Sequence, residues 1–293
     1  MSQWTAADLP SFAGRTVIVT GANSGLGLIT ARELARVGAK TILAVRNTAK
    51  GDEAAASITG PGFGPVEVRK LDLQDLASVR AFAEGVDKVD VLVNNAGIMA
   101  VPYALTVDGF ESQIGTNHLG HFALTNLLLP KITDRVVTVS SGLHLLGQIN
   151  LKDLNWKARP YSPWRAYGQS KLANLLFTSE LQKRLDAAGS PLKAHAAHPG
   201  YSATNLQGNT GRKLGDALMT FANKLATDAD FGARQTLYAV AKDLPGGTFV
   251  GPQFAMWGPT GPTPLRGPLA RDAEKATGLW QLSEQLTDTK FGL

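Results

Sequence analysis

The sequence predicts a single α/β domain in which a doubly wound parallel sheet of about seven strands carries helices on both faces. Short apolar runs of strand length alternate with stretches of helical period along the 293 residues. A glycine-rich turn follows the first run directly and leads into a helical pattern. Alternation of this kind is typical of βαβ units, whose right-handed crossovers bury a parallel sheet on both faces. We therefore expect one domain over residues 1–293.

Strands are expected wherever apolar residues, many of them β-branched, form short runs. Six such runs lie at 16–19, 41–45, 66–68, 89–93, 135–139 and 194–197. A seventh short strand is predicted within 246–251. The segments 59–65, 150–164 and 251–268 are rich in Gly, Pro and aromatic residues, so we expect them to be irregular. Long loops in a compact domain usually line or cover a binding site.

Composition excludes several kinds of site and partner. The chain has no Cys, so disulfides, thiolate metal sites and a cysteine nucleophile are excluded. Its net charge is +5 with Lys and Arg scattered, so no nucleic-acid partner is expected. A run of about 18 apolar residues and a basic-then-apolar leader are both missing, which predicts a cytoplasmic protein without a membrane span. His118 and His121 have no third ligand nearby in sequence, so we expect structural histidines and no metal.

The glycine-rich turn reads T-G-A-N-S-G-L-G at residues 20–27. Glycines between a strand and a helix let the backbone turn tightly and approach a pyrophosphate, whose charge the helix N-terminus stabilises. The spacing is G-x-x-x-G-x-G rather than G-x-G-x-x-G, and a purely structural turn is the alternative for this motif alone. As a dinucleotide site of the Rossmann type, the turn offers Gly21, Asn23, Ser24, Gly25, Leu26 and Gly27.

The residue after the second strand distinguishes NAD from NADP. Many dinucleotide sites place an acidic residue there, about 20 residues beyond the glycines, to bind the ribose 2′-hydroxyl. Here that position holds Arg46, followed by Asn47 and, one turn later, Lys50. A guanidinium suits a 2′-phosphate better than a bare diol. We therefore expect NADP rather than NAD, the alternative being an Arg that only faces solvent.

Tyr167 and Lys171 lie four residues apart in Y-G-Q-S-K. Residues at i and i+4 share one face of a helix, so the ammonium can lie near the phenol and favour its ionised form. An unperturbed Tyr has a pKa of about 10. A positive neighbour and a nearby cationic ring must therefore supply several kcal/mol before the phenol becomes a usable acid or base at neutral pH.

The order and spacing of these segments resemble a classical short-chain dehydrogenase/reductase over nearly the whole length. After the glycine-rich turn the matching residues are Leu71-Asp72-Leu73, N-N-A-G at 94–97, Asn117, Ser140-Ser141, Tyr167 with Lys171, and Pro199-Gly200. The segments T-N-H-L-G-H-F and Y-G-Q-S-K-L-A-N-L-L-F-T are similar to the retinol-dehydrogenase-like branch. That branch typically uses NADP(H) and often acts on lipophilic alcohols and ketones.

The resemblance implies a catalytic set of Asn117, Ser141, Tyr167 and Lys171. Tyr167 would exchange a proton with the substrate oxygen, and Ser141 would donate a hydrogen bond to it. Asn117 would position a water that links Lys171 to solvent, and Lys171 would bind the nicotinamide ribose while lowering the pKa of Tyr167. Beyond the glycine-rich turn, Arg46 and Asn47, the implied cofactor contacts are Asp72, Leu73, Asn94, Ala96, Gly97, Tyr167, Lys171, Pro199, Gly200 and Thr204.

The spacing between Ser141 and Tyr167 departs from the family's pattern. The two residues are 26 positions apart, which implies an inserted substrate loop near 147–164 that overhangs the active site. Aromatic residues of this loop either line an apolar substrate site or pack the loop down; they are Trp156, Tyr161 and Trp164.

Two further expectations concern the substrate side of the site. A C-terminal substrate or lid region is expected near 201–225 and 251–268. Ser140 competes with Ser141 for the catalytic position, and strand alternation alone does not decide between them.

We therefore expect an NADP(H)-dependent oxidoreductase that transfers hydride between nicotinamide and a lipophilic carbonyl or alcohol, with Tyr167 as general acid/base. Its partner would be a small-molecule alcohol, ketone or aldehyde, and a homodimer or homotetramer fits the family. One alternative is a protochlorophyllide-reductase-like enzyme, which the lack of Cys disfavours. The other is a non-catalytic NADP-sensing protein on the same fold, which the complete catalytic set disfavours.

Overall fold

The computed structural model describes residues 3–200, 229–254 and 257–293. Eight strands lie in these residues and form one sheet. They are β1 Thr16–Thr20, β2 Lys40–Val45, β3 Val66–Lys70, β4 Val89–Asn94, β5 Ile132–Val139, β6 Lys193–Ala197, β7 Phe249–Phe254 and β8 Trp257–Pro262.

The helices of the described residues follow the strands in the expected alternation. The α-helices are α1 Gly25–Arg36, α2 Thr48–Ser57, α3 Leu76–Glu84, α4 Ser112–Ile114, α5 Gly120–Leu128, α6 Pro163–Ala187, α7 Ala229–Ala241 and α8 Ala273–Thr287. A π-helical segment, Gly115–Leu119, joins α4 to α5. Short 3₁₀ turns occupy Ala6–Asp8, Leu129–Lys131, Gly142–Leu146 and Pro268–Arg271.

The sheet order is β3-β2-β1-β4-β5-β6-β7-β8. Strands β1 to β7 run parallel to one another, and β8 pairs with β7 in the antiparallel sense. The chain builds outward from β1 to β3 on one side and then restarts beside β1 with β4. A sheet of this kind has its topological switch point between β1 and β4, where the loops at the carboxyl ends of the strands diverge and leave a crevice.

Helices cover both faces of the sheet and bury one apolar core on each. The core on one face includes Leu34 of α1, Leu43 of β2 and Leu237 of α7. The core on the other face includes Phe122 of α5, with residues of α3, α6 and α8. Central strands buried on both faces account for the near-continuous apolar runs seen in the sequence.

Capping residues set where several helices begin. The Asp75 carboxylate accepts hydrogen bonds from the first backbone N–H groups of α3, and Asp272 does the same for α8. Helix α6 starts with Pro163 in its first turn, where the missing N–H costs nothing. This start point fixes the phase of α6 and therefore which face carries its polar residues.

The predicted fold class is confirmed, with one strand more than expected. The segment 251–268 is not irregular throughout, because it completes β7 and holds β8. Strand β8 contains Pro259 and Pro262, which a strand tolerates at the edge of a sheet where no further ladder partner is needed. The segment 59–65 is a loop as predicted, and 150–164 is irregular up to the start of α6. The expected lid region 201–225 lies outside the described residues.

Candidate active site

A cleft of about 430 Å³ opens at the carboxyl ends of the strands, above the switch point between β1 and β4. Residues from six strand ends and the helices that follow them line it. The predicted cofactor residues among these are Gly21, Asn23, Ser24, Gly25, Leu26, Gly27, Arg46, Asn47, Asp72, Leu73, Ala96, Gly97, Tyr167, Lys171 and Pro199.

Among the described residues, two of the predicted cofactor residues do not line the cleft. Asn94 is buried in β4 and donates hydrogen bonds to Thr125 and Thr138 at 2.9 and 3.4 Å. Gly200 lies just beyond the lining residue Pro199. Thr204 lies outside the described residues.

The glycine-rich turn brings backbone where side chains would block the cleft. Gly21 has φ +65°, and Gly25, which begins α1, has φ +55°; both are left-handed values that favour glycine. A Cβ on Gly27 would lie 2.6 Å from the Gly21 carbonyl oxygen. Gly27 therefore lets α1 pack closely against the turn, and the N-terminus of α1 lines the cleft, where a helix end suits a diphosphate.

Arg46 and Asn47 follow β2 at the outer end of the cleft. The Asn47 side chain accepts a hydrogen bond from the Lys50 backbone N–H at 3.1 Å and so caps α2. Arg46 and Lys50 line the cleft, and within the described residues neither has an ion-pair partner. This end of the cleft presents two cations and a helix N-terminus, a combination that attracts a phosphate.

Tyr167 and Lys171 lie on the face of α6 that lines the inner end of the cleft. Both are buried, and the Lys171 Nζ lies 5.7 Å from the centre of the Tyr167 ring. The Lys171 ammonium donates to the Val139 carbonyl oxygen at 3.1 Å. The spacing of four residues thus places the two side chains together as the helix geometry requires.

The two serines after β5 point in different directions. The Ser140 hydroxyl donates to the Lys171 carbonyl oxygen at 2.8 Å and ties β5 to α6. The Ser141 hydroxyl accepts from the Leu143 backbone N–H at 3.2 Å and hydrogen-bonds the Tyr167 phenol. Of the two, Ser141 is the one that lies with the phenol.

Asn117 is fully buried in the π-helical segment, and its side chain is held on three sides. Its amide oxygen accepts from the Ile98 N–H at 2.9 Å, and its amide nitrogen donates to the Ile98 carbonyl and to Ser170 Oγ at 2.9 and 2.8 Å. π-helical turns occur often at functional sites because they displace one residue from the regular helix. A Cβ on Gly97 would lie 3.1 Å from Asn117 Oδ1 and 3.4 Å from Lys171 Nζ.

Burial shifts the pKa values of Tyr167 and Lys171, the two titratable side chains at the inner end of the cleft. It raises the pKa of Tyr167 to about 12, and the hydrogen bond with Ser141 acts in the opposite direction. It lowers the pKa of Lys171 to about 8. In each case burial disfavours the charged form. In the protein by itself, the phenol is therefore a proton donor rather than a base at neutral pH.

The chain matches the model of the family "short chain dehydrogenase" over residues 15–215. The chain belongs to the short-chain dehydrogenase/reductase family. Among curated relatives, human retinol dehydrogenase 13 is 43% identical over 291 residues, covering 93% of this chain and 84% of that protein. Mouse retinol dehydrogenase 12 is 42% identical over 285 residues, covering 93% and 86%. The protein is thus an oxidoreductase of CH–OH groups from the retinol-dehydrogenase-like branch.

Solved structures show the same fold. An uncharacterised protein of Mycobacterium paratuberculosis is 67% identical, with a TM-score of 0.89 over 100% of both chains. A protein of Beutenbergia cavernae described as an NAD(P)-dependent gluconate 5-dehydrogenase, with bound NADP, is 26% identical. Its TM-score is 0.63, and the match covers 82% of this chain and 96% of that one.

The inserted loop of this short-chain dehydrogenase/reductase is pinned to the body of the protein by its aromatic residues. Trp156 is buried, and the Arg159 guanidinium lies 3.7 Å from the centre of its ring. The Tyr161 hydroxyl lies 3.0 Å from a Glu111 carboxylate oxygen and accepts from Gln113 at 2.7 Å. Of the two readings of Trp156 and Tyr161, packing is therefore the one that the contacts support.

His144 joins Ser141 to the segment that contains Gly267. Its Nδ1 lies 2.7 Å from the Ser141 carbonyl oxygen, and its Nε2 accepts from the Gly267 N–H at 3.2 Å. Leu265, two residues earlier, lies 3.6 Å from the position that a Cβ on Gly142 would take. Part of the predicted region 251–268 thus lies beside the Ser141–Gly142 turn, although it is strand and anchored turn rather than free loop.

Several cleft residues were missed by the sequence reasoning. They are Ala44, Leu71, Gln74, Asn95, Ile98, Thr116 and Val139. Ala44, Leu71, Asn95 and Val139 lie within one residue of the carboxyl end of a strand, so the rule that ligands bind at this edge of a parallel sheet could have found them.

The described ranges contain neither a candidate metal site nor a helix that could span a membrane. Within residues 3–200, 229–254 and 257–293, no group of His, Asp and Glu is arranged to hold a metal ion. Over the same ranges, no helix combines the length and apolarity needed to cross a bilayer. The cytoplasmic location stays a prediction.

Proposed function

We propose that this oxidoreductase uses NADP(H) and interconverts a lipophilic carbonyl compound and its alcohol, with Tyr167 as the general acid/base. The observation that carries the proposal is the meeting of Tyr167 and Lys171 at the inner end of a cleft whose outer end holds Arg46, with Ser141 hydrogen-bonded to the phenol. A nicotinamide cofactor itself follows from the family. When bound, the cofactor supplies the hydride for reduction or accepts it in oxidation.

Tyr167 donates its phenolic proton to the carbonyl oxygen during reduction and accepts the alcohol proton during oxidation. The Ser141 hydroxyl donates a hydrogen bond to the same oxygen and stabilises the negative charge that develops on it. The raised pKa of Tyr167 suits the reductive direction, because the phenol holds its proton at neutral pH. In oxidation the pKa must fall, and the Lys171 ammonium on the same helix face is the chain's own group that lowers it.

The cleft fits an NADP molecule on several independent grounds. The glycine-rich turn admits a diphosphate at the N-terminus of α1. Arg46 and Lys50 at the end of β2 suit a 2′-phosphate, since a guanidinium and an ammonium both pair with that group. Lys171 lies where the inner end of the cleft meets the catalytic phenol, which suits the nicotinamide ribose. The proposed site residues are those named in the sequence analysis, apart from Asn94.

Apolar side chains near the catalytic serine support a lipophilic substrate. Leu145 and Leu146 follow Ser141 in the 3₁₀ turn and are exposed, and Leu265 lies 3.6 Å from the position that a Cβ on Gly142 would take. Relatives named retinol dehydrogenase point the same way.

The test is NADPH oxidation with a panel of lipophilic ketones and aldehydes, comparing the wild type with Tyr167→Phe. Loss of the acid should lower kcat by at least about 100-fold, with the Kd for NADPH unchanged. Tyr103→Phe is the control, because Tyr103 is half-exposed and its hydroxyl makes only a 3.4 Å contact with a backbone carbonyl. A Tyr167→Phe enzyme within a few-fold of wild type would remove Tyr167 from the mechanism. A wild type that binds NADPH and reduces no carbonyl would favour a sensor.

A further inference from the structure

His121 lies beneath the candidate active site and contacts it at two points. It is buried in α5, one turn after Asn117. Its Nδ1 lies 3.1 Å from the backbone carbonyl oxygen of Asn117. Its Nε2 lies 2.8 Å from the hydroxyl of Thr20, the last residue of β1. One imidazole therefore bridges the helix that carries Asn117 and the strand that leads into the glycine-rich turn.

The hydrogen bonds of Thr20 fix the direction of this bridge. The Thr20 hydroxyl oxygen accepts from the backbone N–H groups of Asn95 and Ala96, both at 2.9 Å. A hydroxyl has two lone pairs and one proton, so both lone pairs are used and the proton is left to donate. The short contact to His121 Nε2 takes that proton, since the other acceptor in reach, the Val93 carbonyl, is at 3.4 Å.

The other ring nitrogen must then carry the imidazole proton. A carbonyl oxygen only accepts, so His121 Nδ1 donates to Asn117. The ring is thereby a neutral Nδ1–H tautomer, because a proton on Nε2 would face a hydroxyl whose lone pairs are already filled. Burial and the nearby Lys171 ammonium agree with this, as both lower the pKa of His121, to about 3.

The two ends of the bridge belong to different parts of the site. Asn117 holds Ile98 and lies with Lys171 against Gly97. The Thr20 hydroxyl holds the backbone of Asn95 and Ala96, and a Cβ on Gly21 would lie 2.9 Å from Ala96. Asn95 and Ala96 form the floor of the cleft on which a cofactor would lie.

We propose that His121 is a positioning residue that sets the catalytic Asn117 backbone through Nδ1 and the cofactor floor through Thr20 and Nε2. The proposal rests on the proposed function, since it assigns a role within that same site. It predicts that substitutions of His121 can affect the two contacts of the imidazole separately. Loss of the Nδ1 donor should act on kcat, and loss of the Nε2 acceptor should act on cofactor affinity.

The first measurement uses the protein by itself. Side-chain ¹⁵N chemical shifts of His121 in labelled protein should report a neutral ring with the proton on Nδ1 at about pH 7. His121 is assigned by comparison with the His121→Gln spectrum. A neutral Nε2–H ring or a charged ring would overturn the proposal.

The second measurement separates the two ends by half-replacements of the imidazole. His121→Asn keeps a donor near the place of Nδ1, and His121→Gln keeps an acceptor near the place of Nε2. Loss of one hydrogen bond should cost about 10-fold. We expect the Asn variant to raise the Kd for NADPH by about that factor with kcat at saturating cofactor nearly unchanged. The Gln variant should lower kcat by a similar factor with Kd nearly unchanged, and His121→Phe should do both.

His118 provides the matched control on the same helical stretch. It is buried, its pKa is also lowered to about 3 by burial, and its Nε2 lies 3.0 Å from Ser283 Oγ in α8, away from the cleft. Its Asn and Gln variants should lower Tm and leave kcat and Kd unchanged. If the His121 variants also change only Tm, or if Asn and Gln affect kcat and Kd alike, the proposal fails. Failure of the proposed function would instead be seen in the wild type, while tautomer and NADPH affinity remain measurable.

Discussion

Burial controls the charge of both titratable groups at the catalytic end of the cleft. Lys171 has no carboxylate beside it in the described part of the chain, and its ammonium donates to the Val139 carbonyl. Its pKa is therefore lowered to about 8 by burial alone. A lysine with this pKa is partly uncharged just above neutral pH, where an exposed lysine is fully charged.

The Lys171 shift predicts a pH dependence of cofactor binding. If the ammonium binds the nicotinamide ribose, NADPH affinity should be nearly constant well below pH 8, begin to weaken as the pH approaches 8, and weaken further above it as Lys171 loses its proton. Isothermal titration from about pH 7 to 9.5 measures this. Lys171→Met should bind NADPH more weakly and without this dependence. A wild-type Kd that is flat over the range would show that the charge of Lys171 does not contribute to binding.

Arg46 predicts the choice of cofactor. Arg46→Asp removes the partner of a 2′-phosphate and adds a repelling charge, so it should weaken NADPH binding by roughly 1.5–3 kcal/mol, the scale of a charge-assisted hydrogen bond. NADH binding should change far less. Lys88→Asp is a charge-matched control, because Lys88 is exposed just before β4, at the amino ends of the strands and therefore on the side of the sheet away from the cleft. A wild type that binds NADH more tightly than NADPH would contradict the assignment.

At the scale of elements, the sequence predicted the repeating strands and missed the π-helical turn and the last strand. The six apolar runs predicted for β1 to β6 matched real strands, most of which are central strands buried on both faces, whereas β3 at the sheet edge is only partly buried. The π-helical turn at Asn117 was missed, since it changes hydrogen bonding without changing the apolar period. Strand β8 was missed because W-G-P-T-G-P has almost no strand propensity. It forms through pairing with β7 at a sheet edge, a tertiary contact that no local pattern reports.

The segment anchored by His144 predicts where substrate preference is set. Leu265→Ala removes apolar surface beside Gly142, the residue after the proposed catalytic Ser141. We expect a higher KM for bulky lipophilic ketones, little change for small ones, and an unchanged Kd for NADPH. Leu269→Ala, at a half-exposed position of the same segment, is the control. Equal KM changes for large and small substrates in Leu265→Ala would place this side chain away from the substrate.

At the scale of the whole molecule, the C-terminal helix α8 closes one face of the fold. It packs on α5 and α6, and its Trp280 ring lies 4.9 Å from Phe122 and stacks on Phe177 at 5.8 Å. Helix α8 was not predicted from the sequence, because a helix that covers other helices is recognisable only once the surface it packs on is known. The predicted homodimer or homotetramer stays a prediction.

Trp280 predicts that α8 contributes to stability and not to catalysis. Trp280 is 2% exposed, so Trp280→Ala should cost about 3–5 kcal/mol through lost burial and a cavity. At roughly 2–4 °C per kcal/mol for a chain of this size, Tm should fall by about 6–20 °C. Because Trp280 lies on the outer side of α5 and α6, kcat and the Kd for NADPH at low temperature should stay near wild type. Trp257→Ala is the matched control, since Trp257 is 64% exposed and should change Tm little. A Trp280→Ala protein with unchanged Tm would show that α8 is not part of the cooperative fold.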